Sequence, residues 1–148
     1  MSKLGTTKGL KKKEKKTVLH KKLRTIFNSY VRLRDCNNSG NILCISCLKE
    51  ISFGESQAGH LYPDATIFNN LRLHEWNVNA QCSHCNMFLE GNTNEYRQNL
   101  KMKIGRKALN WLDEHARDFV IRDIEWYHKQ IDYYTKALEE LEQLRGIK

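Results

Sequence analysis

The stretch Asn77-Val78-Asn79-Ala80-Gln81-Cys82-Ser83-His84-Cys85-Asn86 sets two cysteines three residues apart, and Cys44-Ile45-Ser46-Cys47 carries the same spacing earlier in the chain. A CxxC turn aims both sulfurs at one point, so two such turns supply the four soft ligands of a tetrahedral zinc ion. A thioredoxin-like redox pair is the usual rival for CxxC, but it occurs once and beside a βαβ unit, and this chain is poor in strand signals. Four thiolates leave zinc no open coordination position, so the expected ion holds the fold and performs no chemistry. The fifth cysteine, Cys36, is expected to be a free thiol.

Outward from these pairs, residues 42–89 show broken periodicity and read as short strands and loops, with a helix starting near the second pair. Such a stretch has a thin core and needs a staple. The only proline, Pro63, sits in the loop between the pairs. Upstream, Leu19, Leu23, Ile26, Tyr30 and Leu33 recur at helical spacing and predict a helix over 17–35, ended by the turn cluster at residues 37–41. Downstream, Tyr96, Leu100 and Ile104 line one helical face, Gly105 stops it, and residues 108–112 restart it. Val120, Ile124, Tyr127, Ile131, Tyr134, Leu138 and Leu141 alternate by four and three, a heptad seam that needs a partner. That partner is either the stripe of the first helix or a second copy of the chain.

Charge is distributed unevenly over the 148 residues. The net charge of +8 divides into +11 over residues 1–34, where Glu14 is the single acid, and −3 over the rest. Lys11, Lys12, Lys13, Lys15, Lys16, Lys21, Lys22 and Arg24 make a basic arm suited to a polyanion, since each phosphate neutralised releases counterions. A solvated lysine tract is the bland alternative. No apolar run is long enough to cross a bilayer, and the lysine-rich start is followed by no apolar segment, so a cytoplasmic protein with no membrane partner is expected.

Two segments raise the reading from a zinc module to an enzyme: Gly59-His60-Leu61 and the run from Asn77 to Asn86 quoted above. Set between and just after two CxxC pairs, they resemble an HNH nuclease. That resemblance implies His60 as general base, Asn77 as its orienter and Asn86 as ligand of a catalytic divalent metal, Mg2+ with Mn2+ as a substitute. The residue types suit these roles, because a neutral imidazole can take a proton from water near pH 7 and a divalent ion can stabilise charge on phosphate. The usual aspartate before the base is absent, its position being Gly59, and a further acid position is Gln57. Glu75 is the first candidate to supply the missing charge, followed by Glu90 and Asp64.

A closer resemblance covers residues 26–112. YVRLRD (30–35), CISC (44–47), AGH (58–60), LRLHEWN (71–77), QCSHCN (81–86), Gly91-Asn92 and Tyr96-Arg97 stand in the order and spacing of the lambdoid phage NinG, or Rap, recombination proteins. The post-cysteine asparagine is also similar to that of the endonuclease VII resolvases. The resemblance implies an endonuclease acting on branched DNA such as Holliday junctions and D-loops, in the host cytoplasm, beside a phage recombinase. The expected fold is α+β: a small zinc-stapled ββα-metal core, HNH and treble-clef-like, flanked by N-terminal and long C-terminal helices. The divisions expected are a mobile basic arm over 1–16, a helix over 17–35, the nuclease core over 36–112, and over 113–148 a C-terminal helix with a possible homodimer contact. Two rival readings stay open: a zinc-dependent DNA-binding module whose catalytic site has decayed, and a general HNH nuclease without branch preference.

Overall fold

Helix α1, Lys16–Arg34, forms where the apolar stripe begins and ends at Asp35, whose backbone N–H reaches back to the Val31 carbonyl while the Cys36 N–H takes the Leu33 carbonyl. The computed structural model describes residues 14–146. The expected arm over 1–16 therefore lies outside the described residues except for Glu14, Lys15 and Lys16, and Lys16 is already helical. The buried positions of α1 are Leu19, Leu23, Phe27, Val31 and Leu33. The expected face is thus turned: Phe27 and Val31 form its floor, and Ile26 and Tyr30 are its half-buried flanks. The rotation follows from α1 being covered on two sides, by the C-terminal helix and by a hairpin, so a wider stripe than one seam is buried.

Between the helices lie two small antiparallel sheets. Strands β1 (Asn41–Leu43) and β2 (Glu50–Ser52) pair with Ile42 opposite Ile51. Strands β3 (Ser56–His60) and β4 (Val78–Cys82) pair with Ala58 opposite Ala80 and His60 opposite Val78. Side chains alternate across a strand. Ala58, His60, Val78 and Ala80 therefore share one face of the β3–β4 hairpin, and Gln57, Gly59, Asn79 and Gln81 share the other. Through Ala58 and Val78 the first face packs on α1. A single wide helical turn, His84–Phe88, follows β4 and closes with the Leu89 N–H on the His84 carbonyl.

Helices α2 (Thr93–Ile104) and α3 (Arg106–His115) meet at Gly105, whose φ of +87° favours glycine, and they bury Tyr96, Leu100, Leu109 and Leu112. The expected boundary at residue 112 falls inside α3. Helix α4, Ile124–Arg145, starts at Asp123, whose carboxylate accepts the Trp126 N–H. Val120 belongs to the extended link before it. The heptad seam is used within the chain: Ile131 and Tyr134 are buried against Leu19, Leu23, Phe27 and Val31, and Leu138 and Leu141 pack beside Leu33 and the cysteines. Of the two partners expected for that seam, the stripe of α1 is the one it meets within the chain. Burying a side chain such as Leu23 or Phe27 stabilises by about 1.5–3 kcal/mol, so this helix pair anchors the rest. Among the described residues no helix is long and apolar enough to cross a membrane.

Candidate metal centre and the His60 cleft

Cys44 follows β1 and its turn closes with the Leu48 N–H on the Cys44 carbonyl, Leu48 taking a φ of +61°. Cys82 ends β4, and Cys85 sits in the helical turn after it, its own N–H directed at the Cys82 sulfur. The four sulfurs lie within 4.8 Å of one another. Cys47 and Cys82 are 3.8 Å apart, too far for a disulfide, and about the edge of a tetrahedron with Zn–S arms of about 2.3 Å. The Asn92 amide donates to the Cys85 sulfur, the kind of outer contact that steadies a thiolate ligand. Donor type and spacing fit zinc, and Cys44, Cys47, Cys82 and Cys85 can hold it. Cys36 is a buried neighbour of this cluster and no part of it.

His60 ends β3 with a ring nitrogen 2.8 Å from the Arg72 carbonyl. A carbonyl only accepts, so the bonded nitrogen carries the proton and the other keeps its lone pair. Burial pushes the His60 pKa below the ordinary 6.5, against the pull of that carbonyl and of Asp64, so the ring is neutral at pH 7. Asp64 is held by Arg72 at 2.6 Å and by Arg24 at 3.0 Å. Desolvation opposes its ionisation, but these guanidiniums and His60 hold the carboxyl below its usual range. His60 therefore sits beside two cations and one carboxylate, supplied by α1 and by the loop between β3 and β4.

The other expected site residues go elsewhere. Asn77 is wholly buried; its carboxamide accepts the Tyr62 N–H and donates to the Tyr62 and Leu71 carbonyls. It makes no hydrogen bond to His60, so its geometry is that of a clamp closing the loop that supplies Arg72, rather than an orienter of the ring. Asn86 donates to Gln57 on the opposite hairpin face from His60. Glu75 accepts from Tyr30 at 2.8 Å and Tyr134 at 3.3 Å and lies 3.8 Å from Arg34, between α1 and α4. Those contacts set it apart from Asn86, the other residue expected to ligate a catalytic metal, whose amide is on Gln57. Glu90 is exposed with a φ of +48°, and Asp64 is bound to its two arginines.

A hard divalent cation usually takes one or two carboxylates, and the oxygens around Asn86 are carboxamides. The place of the missing aspartate is also filled: a Cβ on Gly59 would meet the Gln81 Oε1 at 2.0 Å. Gln81 is itself wholly buried, donating to Ser46 and to the Gly91 carbonyl, and its Oε1 has no partner among the described residues. The residues on this face do not fit a resident Mg2+ or Mn2+ ion.

Of the expected DNA-contacting residues, Lys11, Lys12 and Lys13 lie outside the described residues. Lys15, Lys16, Lys21 and Lys22 are exposed at the start of α1, and Arg24 is turned to Asp64. The run YVRLRD, read from sequence only as a point of resemblance, is a structural clamp. Arg34 donates to the Glu75 and Val78 carbonyls and to Asn79, while Asp35 accepts the Ala80 N–H and the Lys103 ammonium. Arg32 reaches Ser56 and the Phe53 carbonyl and lies 4.4 Å over the Phe53 ring. The alternation of aromatic, basic and acidic residues at the end of an apolar helix was the available signal.

The clamp, the cysteine staple and the His60 strand all lie within the part of the chain that comparison with known proteins matches. The family model described as Bacteriophage Lambda NinG protein matches residues 3–144. Protein ninG of Escherichia phage lambda is 31% identical over 93 residues, covering 63% of this chain and 43% of the relative. The proteins ninG of Escherichia phage 933W and Enterobacteria phage VT2-Sa match to the same extent. The matched part is thus less than half the length of these curated relatives. No solved structure matches the chain. A family match running from before α1 almost to the end of α4 takes in every element described above, and the chain belongs to the NinG family of lambdoid phages.

Proposed function

We propose that this chain is a DNA endonuclease of HNH type that hydrolyses phosphodiester bonds in branched DNA during phage recombination, in the host cytoplasm and beside a phage recombinase. The observation that carries the reading is His60: a neutral imidazole, its tautomer fixed by the Arg72 carbonyl, at the end of a strand whose partner strand runs into a cysteine cluster that can hold zinc. In the proposed step His60 takes a proton from water as the water oxygen attacks phosphorus. The bond to the 3′ oxygen breaks, and the leaving oxygen takes a proton from solvent. Arg24 and Arg72 place positive charge beside the phosphate, though both also serve Asp64.

A labelled four-way junction should be nicked by the wild type and spared by His60→Ala, with a rate loss of about 10²–10⁴-fold. Equal cleavage by both proteins removes His60 from the reaction. The pH profile gives a second readout. The base works deprotonated and its pKa is lowered, so activity should persist through pH 6.5 and fall only as pH drops further; an acid limb centred at or above 6.5 contradicts this assignment. Equal rates on linear duplex and junction would favour a nuclease without branch preference.

A second reading, a zinc-dependent DNA-binding module with a decayed site, is favoured by Gly59 and by the Gln81 oxygen that fills the place of an acidic side chain. It predicts salt-sensitive DNA binding with no cutting in magnesium or manganese.

A further inference from the structure

Beyond His60 on the Arg72 side lies a cleft of about 280 Å³ bounded by α1, the loop between β3 and β4, the link before α4, and the first turn of α4. Its walls carry His20, Arg72, Phe119, Arg122, Trp126 and Tyr127. No sequence motif marked it. Three features give it a chemical character. The Arg122 guanidinium lies 4.4 Å over the Trp126 ring, so a cation and a large aromatic face are presented together. Phe119 stands 75% exposed at the rim, an aromatic ring open to a planar ligand. His20, whose Nδ1 is 3.5 Å from the Tyr127 hydroxyl, has an Nε2 that is buried with no hydrogen-bond partner among the described residues.

We propose that this cleft takes one unpaired nucleotide of a single-stranded DNA arm, with the base against Trp126 and Phe119 and a flanking phosphate at Arg122 and Arg72. This inference rests on the reading of the protein as DNA-directed and refines it to branches that carry an unstacked strand. The volume is at the small end of ligand clefts, roughly 300 Å³ upward, and admits one planar heterocycle but no folded peptide element. Stacking on aromatic rings beside arginines is the sequence-tolerant way to hold single-stranded nucleic acid. Of the carboxylates near the cleft, Asp64 is already matched by Arg24 and Arg72, and Asp123 is turned to the Trp126 N–H. Arg72 joins the cleft to the candidate base, since it lines the cleft and its carbonyl holds His60.

The test is anisotropy of a labelled oligo-dT and of a blunt duplex, without added divalent cation, on the full chain and on Phe119→Ala and Arg122→Gln. Phe119 is at the surface, so its variant should fold; zinc content and circular dichroism check both. The expected result is about a tenfold loss of oligo-dT affinity in each variant, with duplex affinity changed less than twofold. Unchanged oligo-dT affinity, or an equal loss on both DNAs, overturns the proposal. Because no cleavage is read, absence of junction cutting by the wild type would strike the nuclease reading alone, and intact cutting with unchanged variants would strike the cleft alone.

Discussion

The cysteine cluster and the candidate catalytic set are both built from residues distant in sequence, yet the first converges and the second disperses. Cys44, Cys47, Cys82 and Cys85 bring four sulfurs within 4.8 Å. His60, Asn77, Glu75 and Asn86 turn to four separate places: the Arg72 carbonyl, the Tyr62 and Leu71 backbone, the α1–α4 seam and Gln57. A metal site is dictated by local turns plus one shared ligand, so its spacing is legible in sequence. A catalytic set is dictated by which face each side chain leaves from, and one residue of strand alternation reverses that.

The largest break of this contrast is at the staple. Cys85→Ser should abolish zinc binding and unfold the segment from β1 to the turn after β4, because apparent zinc-binding energies of about 10–16 kcal/mol in small domains are folding energies. Metal analysis of the wild type should give one zinc per chain, and limited proteolysis of the variant should cut between residues 41 and 92. A wild type free of zinc, or a protease-resistant variant, would place the stability of this segment in its apolar packing.

A smaller effect is expected at the clamp. Asn77→Ala leaves the Tyr62 N–H and the Tyr62 carbonyl without their partners, at a cost of about 1–3 kcal/mol for each group so stranded, and should lower Tm by several degrees. His60→Ala should leave Tm nearly unchanged. If Asn77→Ala kept Tm and lost only activity, the carboxamide would belong with the base after all.

The smallest effect sharpens the contrast from the other side. Gly59→Asp restores an acid beside His60 but drives its Cβ into Gln81, so a loss of about 1–3 kcal/mol is expected from overpacking. Adding Gln81→Ala should return part of that loss in thermal melts, the signature of two residues sharing one space. Simple additivity of the two changes would show that the contact is relieved elsewhere.

Much of the frame could be read without coordinates. Repeating apolar spacing placed α1 and α4, Gly105 separated α2 from α3, and the two CxxC pairs announced the cluster. Leu19, Leu23 and Leu33 of the expected α1 face are buried, but Phe27 and Val31 take the place of Ile26 and Tyr30 in its middle, since α4 and the hairpin cover the helix from both sides. The charge of Glu75 pointed toward a metal, and nothing in its sequence neighbourhood foretold the hydroxyls of Tyr30 and Tyr134, which come from two other helices.

By itself the sequence determined where the helices run and which sulfurs meet, because periodicity and CxxC turns act over a few residues. Tertiary structure alone decided that the α4 seam closes on α1, that His60 is neutral against the Arg72 carbonyl, and that Gln81 fills the space beside Gly59. The physical reason is range: spacing fixes which face a residue leaves from, whereas burial, pKa and steric exclusion depend on the groups that chains distant in sequence bring against that face.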